Sequence, residues 1–324
     1  MIDFSANANP FGPPPGFTEH LAERIPLVTH LPEPNADSLR KRLADRHGFP
    51  PESLSIGAGT TEFIHALPRV LQARTAYIPG RAAYADYSCS ALAAGAQIIK
   101  EPGADIAFLA NPVNPTGRLR TRSELQELAR ELNVKLFIID ESYLDLTLEG
   151  PTESVATPPL PEGFAVLRSF SKSHGVPGLR LGILMAEEPV ISQVEAVKPP
   201  WTVSTLAQIG GHFFLNSSID RWVESTARKA LEESRWLQGE IARIPGLVPQ
   251  SSACTFFLTR IENPDWDATS LTHQLSRKGF LVRDCTNFRG LGNNHIRISP
   301  RIHEENRKLL LALETAFTAK PASR

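Results

Sequence analysis

Arg168-Ser169-Phe170-Ser171-Lys172-Ser173-His174-Gly175-Val176-Pro177-Gly178-Leu179-Arg180 is the stretch on which the fold assignment of this chain turns. It follows a β-rich run, Phe164–Arg168, surrounds one lysine with serine hydroxyls and places an arginine eight residues further on. Lysine is scarce here: the 34 basic residues comprise 25 Arg and nine Lys, so a lysine among hydroxyls calls for a reason. A Ser-rich surface loop is one, because loops are polar. Chemistry is the other: a lysine amine forms a Schiff base with an aldehyde, and serine hydroxyls with an arginine fork hold a phosphate.

Three further segments end β-like runs. Gly57-Ala58-Gly59-Thr60-Thr61-Glu62 runs from a strand through a glycine turn into a helix, whose first amides suit a phosphate, although a single GxG is a weak signal. Asn111-Pro112-Val113-Asn114-Pro115-Thr116-Gly117 is made of turn formers. Ile139-Asp140-Glu141-Ser142-Tyr143 closes the apolar run Lys135–Ile139, the pattern of a strand covered on both faces, and open parallel sheets place ligands at such strand ends. Taken alone, an acid there is equally well a solvated or helix-capping group.

Strands are expected at Ser53–Ile56, Thr75–Ile78, Gln97–Lys100, Ile106–Ala110, Lys135–Ile139, Phe164–Arg168 and Leu181–Met185, with helices over 35–47 (capped by Asn35), 60–73, 83–94 and 121–132. Strands alternating with helices indicate an α/β fold. A long amphipathic helix from Ser217 to the turn at Pro245-Gly246 leads to a tail with strands at Thr255–Thr259, Gly279–Arg283 and His295–Ile298 and helices near 267–278 and 303–318. We therefore expect an N-terminal arm (1–25), a large α/β domain with a mostly parallel mixed sheet (26–212) and a smaller α+β domain (213–324).

With 34 Lys+Arg against 35 Asp+Glu, the net charge of −1 disfavours a nucleic-acid partner. The three cysteines, Cys89, Cys254 and Cys285, are too far apart for a CxxC metal pair or a disulfide framework, so no metal is expected. No run approaches the roughly 18 apolar residues of a membrane span, and Met1–Asn7 has no signal-peptide pattern. A cytoplasmic location without membrane contact is the expectation.

In order, GxGTTE, NPxNPTG, DExY and SxSKxxGxPGLRLG make the chain resemble the fold-type-I enzymes of pyridoxal 5′-phosphate, the aspartate-aminotransferase superfamily, from Ile2 to about Asn306. Within it the chain is most similar to the L-threonine-O-3-phosphate decarboxylases of cobalamin biosynthesis and next to the histidinol-phosphate aminotransferases. Phe4-Ser5-Ala6-Asn7-Ala8-Asn9-Pro10, Leu31-Pro32-Glu33-Pro34 and the run Val282–Phe288 carry that distinction.

The resemblance implies that Lys172 is the lysine that joins the cofactor aldehyde and that Asp140 faces the pyridine nitrogen. It also implies that Asn114 and Tyr143 bond the ring 3-oxygen, and that Ser169, Ser171, Arg180 and the amides of Thr60 and Thr61 hold the cofactor phosphate. Arg283 and Arg297 match the substrate arginines, each suited to a carboxylate or a phosphate. Asn7 and Asn9 lie in an arm that folds over the substrate, unless they serve only to shape the Asn-Pro turn. A homodimer and a small phosphorylated amino-acid substrate follow from the same resemblance.

Three positions depart from the pattern. Arg81 occupies the usual place of the ring-stacking aromatic, with Tyr84 as the alternative. Leu31 replaces a tyrosine that in aminotransferase relatives reaches the partner subunit's cofactor phosphate, a role that either falls away here or passes to His30. Val113 stands where Asn is commoner. The implied reaction is decarboxylation of threonine phosphate to 1-aminopropan-2-yl phosphate. Serine phosphate is a further candidate substrate, since one methyl is worth only about 1–3 kcal/mol of discrimination. Transamination by the same residues is the alternative, because no single residue records the orientation that selects between them. A silent regulatory module of this fold is the remote third reading, against which stand the charge and the intact Lys172.

Overall fold

The computed structural model describes residues 1–80 and 82–318. Its strands are β1 (Ile2–Asp3), β2 (Leu54–Gly57), β3 (Thr75–Tyr77), β4 (Gln97–Ile99), β5 (Ile106–Ala110), β6 (Leu136–Asp140), β7 (Phe164–Ser169), β8 (Gly182–Met185), β9 (Leu247–Pro249), β10 (Phe257–Ile261), β11 (Phe280–Leu281), β12 (Arg283–Asp284) and β13 (His295–Ile298). Seven of them form one sheet in the order β2-β8-β7-β6-β5-β3-β4. Within it β3 to β7 pair in parallel, and β8 runs antiparallel to both its neighbours. The sheet is thus mixed and mostly parallel, as expected for an α/β fold.

The unbroken apolar run of β6 has a direct cause. Phe137 and Ile139 face a core completed by Leu39 and Leu43 of the helix Asp37–His47 and by Leu125 of the helix Arg122–Leu132. Leu136 and Ile138 face the opposite core, with Phe63 and Leu67 of the helix Thr60–Val70 and Ala91 of the helix Ala85–Ala93. Both faces of the strand are dry, so alternation with polar residues would leave buried polar groups. Each fully buried Ile or Phe contributes about 1.5–3 kcal/mol, which makes Ile138→Ala a destabilising change.

The second sheet, β12-β13-β10-β9, is antiparallel and packs on the helix Ala268–Arg277 and the helix His303–Thr318. The helix Ser217–Ile241 joins the parts: Ile219 and Val223 near its start pack with Phe17 and Phe214, whereas Leu237 and Ile241 near its end enter the core of the second sheet. Its 25 residues span about 37 Å.

Four local expectations are corrected. Asn35 does not cap the helix Asp37–His47; Ala36 occupies the N-cap in a left-handed conformation, and the Glu33 carboxylate accepts the free amide of Ser38 at 2.8 Å instead. The strand expected at Thr255–Thr259 begins only at Phe257, because the Ser252 hydroxyl donates to the carbonyls of Cys254 and Phe256 and holds the preceding residues in a turn. The strand expected over Gly279–Arg283 is divided: β11 pairs in parallel with β1, and β12 pairs with β13. The helix expected over 60–73 stops at Val70.

Candidate active site

The C-terminal ends of β5, β6 and β7 and the start of the helix Thr60–Val70 meet β12 and β13 around a cavity of about 350 Å³. Eleven expected site residues line it: Thr60, Thr61, Asn114, Asp140, Tyr143, Ser169, Ser171, Lys172, Arg180, Arg283 and Arg297. Among the described residues, four basic side chains stand there against the single carboxylate of Asp140.

At one end the glycine turn after β2 leads into a helix whose N-cap, Gly59, supplies no side-chain acceptor, so amides at the helix start keep free donors. Gly59 has φ +81°, and a Cβ there would fall 2.4 Å from Arg180 Nη2; the missing side chain is what lets the guanidinium lie against the turn. Likewise a Cβ on Gly182 would meet Thr60 N at 2.5 Å. The Ser169 hydroxyl caps the short helix Phe170–Ser173 by accepting from Ser171 N at 3.1 Å. Buried Ser171 Oγ has no hydrogen-bond partner among the described residues. Uncapped amides, an orphaned hydroxyl and an arginine form an anion cradle.

In the middle, Asp140 is buried, and burial raises its pKa against the opposing pull of its hydrogen bonds and of Lys172. Tyr87 Oη donates to Asp140 Oδ2 at 2.8 Å and Ser142 N to Oδ1 at 3.0 Å. Lys172 Nζ lies 5.8 Å from the Tyr143 ring centre. Burial first, then the positive charges of Arg297 and Arg180, lower the Lys172 pKa, while Asp140 opposes the shift. The outcome is an amine more readily neutral, and thus nucleophilic, than an exposed lysine.

At the far end Arg283 and Arg297 stand directly opposite in the β12–β13 ladder, an arrangement that costs stability for like charges. The two settle it differently. Arg297, 6% exposed, lies over the Phe256 ring, donates from Nη1 to Asn114 Oδ1 and from Nη2 to the Ser5 carbonyl at 2.6 Å, and leaves buried Nε without a partner among the described residues. Arg283 is half-buried against Phe288 and bonds Asn287 Oδ1 at 2.8 Å.

Asn7 and Asn9 are not among the lining residues. Asn7 Oδ1 accepts from the Ser299 hydroxyl, and its buried amide faces the Tyr143 hydroxyl, where it opposes the upward pull of burial on the Tyr143 pKa. Asn9 ties the arm to the lysine turn: its N–H donates to the Lys172 carbonyl at 2.8 Å, and its amide donates to the Ser173 carbonyl at 2.9 Å and to Thr226 Oγ1 at 2.7 Å. Tyr84 does line the cavity, edge-on to Tyr87 at 5.6 Å, whereas Arg81 lies outside the described residues. His30 and the exposed Leu31 do not line it. Tyr87 and Ser142 were not anticipated. Tyr87 lies in the first turn of the helix Ala85–Ala93, three residues after Tyr84, and only the fold brings it to Asp140.

The family model for aminotransferase class I and II matches residues 85–313, which include Asp140, Lys172, Arg180 and Arg297. The chain belongs to that family. The family's enzymes depend on pyridoxal 5′-phosphate, and the cradle, the buried acid and the lysine fit that cofactor's phosphate, ring nitrogen and aldehyde. Over 98% of its length this family member is 30% identical to the threonine-phosphate decarboxylase of Salmonella typhimurium, covering 92% of that protein. It is 31% identical to the histidinol-phosphate aminotransferase of Roseiflexus castenholzii, over 97% of this chain and 89% of the relative. The crystal structure of L-threonine-O-3-phosphate decarboxylase from Porphyromonas gingivalis superposes with a TM-score of 0.89 at 27% identity, covering 98% of this chain and 100% of that one. Among the described residues no helix is long and apolar enough to cross a membrane.

Proposed function

We propose that this enzyme decarboxylates L-threonine O-3-phosphate, releasing CO₂ and 1-aminopropan-2-yl phosphate. The carrying observation is the cross-strand pair Arg283 and Arg297 at one end of a cavity whose other end is already an anion cradle. A substrate with two anionic groups answers the charge excess, since each arginine grips a carboxylate or phosphate with two parallel hydrogen bonds. The similarity to threonine-phosphate decarboxylases over nearly the whole chain supports the same reading.

Pyridoxal 5′-phosphate, when bound, supplies an aldehyde that takes up an amine and a ring that accepts the electron pair left on Cα. Thr60, Thr61, Ser169, Ser171 and Arg180 would hold its phosphate, Asp140 its ring nitrogen, and Asn114 and Tyr143 its 3-oxygen. Lys172 would join the aldehyde and, as an amine beside the reacting carbon, would carry a proton. Arg283 and Arg297 fix the substrate's two anionic ends and so decide which bond to Cα is presented. Tyr87 holds Asp140 in place by its hydrogen bond. In the decarboxylation the bond from Cα to the carboxylate breaks, and a proton is delivered to Cα.

Incubation with threonine phosphate is expected to release CO₂ without any keto acid. A stoichiometric requirement for a keto acid would establish the second reading, a histidinol-phosphate type of aminotransferase, favoured by the 31% identity to such an enzyme. We also infer a homodimer. Ile25, Leu27, Val28 and Leu31 form an exposed apolar run on one short segment, and Trp201 is likewise exposed. Sedimentation at the mass of two chains is the expected result, and a monomer at micromolar concentration would refute it.

A further inference from the structure

The largest cavity described is not the one that holds Lys172. A second cavity, of about 660 Å³, borders the same lysine-bearing segment: Ser169 lines both, while Arg168, Phe170 and His174 face the second. Its other walls come from the end of the helix Asp37–His47, the loop 145–152 and the first half of the helix Ser217–Ile241. Lys172 does not line it.

The chemistry of its walls is opposite to that of the first. The apolar part is rich in rings: Phe170 stacks on Phe214 at 5.3 Å, and His174 lies against Phe214 at 4.5 Å. Three arginines face four carboxylates, so there is no surplus of positive charge. Most of these charges are already spent on each other, Arg46 on Asp220, Arg168 on Asp145 at 2.6 Å and Arg228 on Glu224 at 3.4 Å. Among the described residues every lining arginine is paired, so an anion entering here would compete with a carboxylate and would meet Glu149, which forms no ion pair. Two imidazoles supply the uncommitted polarity. Burial pulls the pKa of both His47 and His174 down to about 4, with Arg168 and Arg46 adding to it and Asp145 opposing. Each is therefore neutral near pH 7, offering one donor and one acceptor nitrogen. The His47 ring nitrogens have no hydrogen-bond partner among the described residues, and His174 spends Nδ1 on Ser173 Oγ at 3.0 Å.

We propose that this cavity is a second small-molecule site, taking an uncharged flat ring system of nucleoside size that carries both hydrogen-bond donors and acceptors. Its volume lies within the roughly 300–1,000 Å³ of such sites. Half-buried Phe170, with Ile183 and Val223, gives an apolar wall for the face of a ring, His47 offers its nitrogens to the ring's edge, and self-paired charges penalise a phosphate. The site is regulatory in position, since its occupant packs on the segment that carries Lys172 without reaching the lysine amine.

Isothermal titration of the cofactor-loaded protein with adenosine, uridine, cytidine and adenosine 5′-monophosphate tests this. At least one of the three uncharged compounds is expected to saturate with a Kd below about 1 mM. Adenosine 5′-monophosphate should bind at least roughly tenfold more weakly than adenosine. Thr152→Trp plugs the exposed rim, and His47→Phe keeps a ring but removes both nitrogens; each should weaken binding roughly tenfold or more. Retained activity of Thr152→Trp shows that the block is local. The proposal is overturned if none of the three compounds saturates below about 1 mM, if binding is unchanged in both variants, or if the phosphate strengthens it.

Discussion

Ser169 separates two cavities built from different electrostatic material. Among the described residues, one side sets three arginines and a lysine against a single carboxylate; the other sets three arginines against four carboxylates and adds two neutral histidines. The first stores unpaired positive charge, at the expense of Arg283 and Arg297 facing each other across a ladder, and such charge stays favourable only with an anionic occupant. The second has already neutralised itself. A whole-chain charge of −1 conceals both, because ligand chemistry follows the local imbalance.

The contrast can be broken most severely at Lys172. Lys172→Ala should lower turnover of threonine phosphate by about 10,000-fold, the upper range for a positioned proton-transferring group, and abolish the visible absorbance of the cofactor-loaded protein. Retention of either would remove the lysine from the chemistry. At the substrate end, Arg297→Met should cost about 3 kcal/mol in kcat/KM, roughly 100-fold, and strand Asn114 Oδ1 and the Ser5 carbonyl. An equal loss with a substrate lacking the phosphate would assign this arginine to the carboxylate.

On the other side the test is thermal. The unfolded chain protonates His174 near 6.5, while the folded chain keeps it neutral down to about 4. Between those values the unfolded state holds more protons, so this contribution to stability is present above 6.5 and is lost as the pH falls towards 4. Its full extent is about 3 kcal/mol, and His174→Phe should flatten the fall in Tm across that window. An unchanged slope would mean that His174 is not held neutral. The smallest expected effect is that of Tyr87→Phe, which removes one hydrogen bond to a buried carboxylate; a loss of about 1.5 kcal/mol, near tenfold in kcat/KM, is expected from steady-state kinetics.

The anion cradle and the lysine turn were legible because their signals are local. A strand followed by serines, a lysine and glycines specifies a turn and its chemistry within a dozen residues, and β5 and β13 were delimited from the apolar run and the alternation alone. Tyr87 was missed because its partner, Asp140, is 53 positions away. Asn9 is the converse case. Its position in the arm suggested the substrate, yet its amide goes to the Ser173 carbonyl and Thr226 Oγ1, partners 164 and 217 positions away. The division of the strand expected over Gly279–Arg283 depended on β1, from the opposite end of the chain.

What the sequence determined by itself was the alternation of strands and helices, which follows from periodicity, and the motifs whose residues line the candidate site, which are short-range in spacing. The tertiary structure alone decided which polar groups are spent on one another and which remain free. Among the described residues, Ser171 Oγ and Arg297 Nε are left without partners, whereas Arg168 and Asp145 are satisfied. That distinction separates a binding site from a salt-bridged wall. Hydrogen bonds and ion pairs form between groups brought together by the sheet, and no pattern along the chain records their distances.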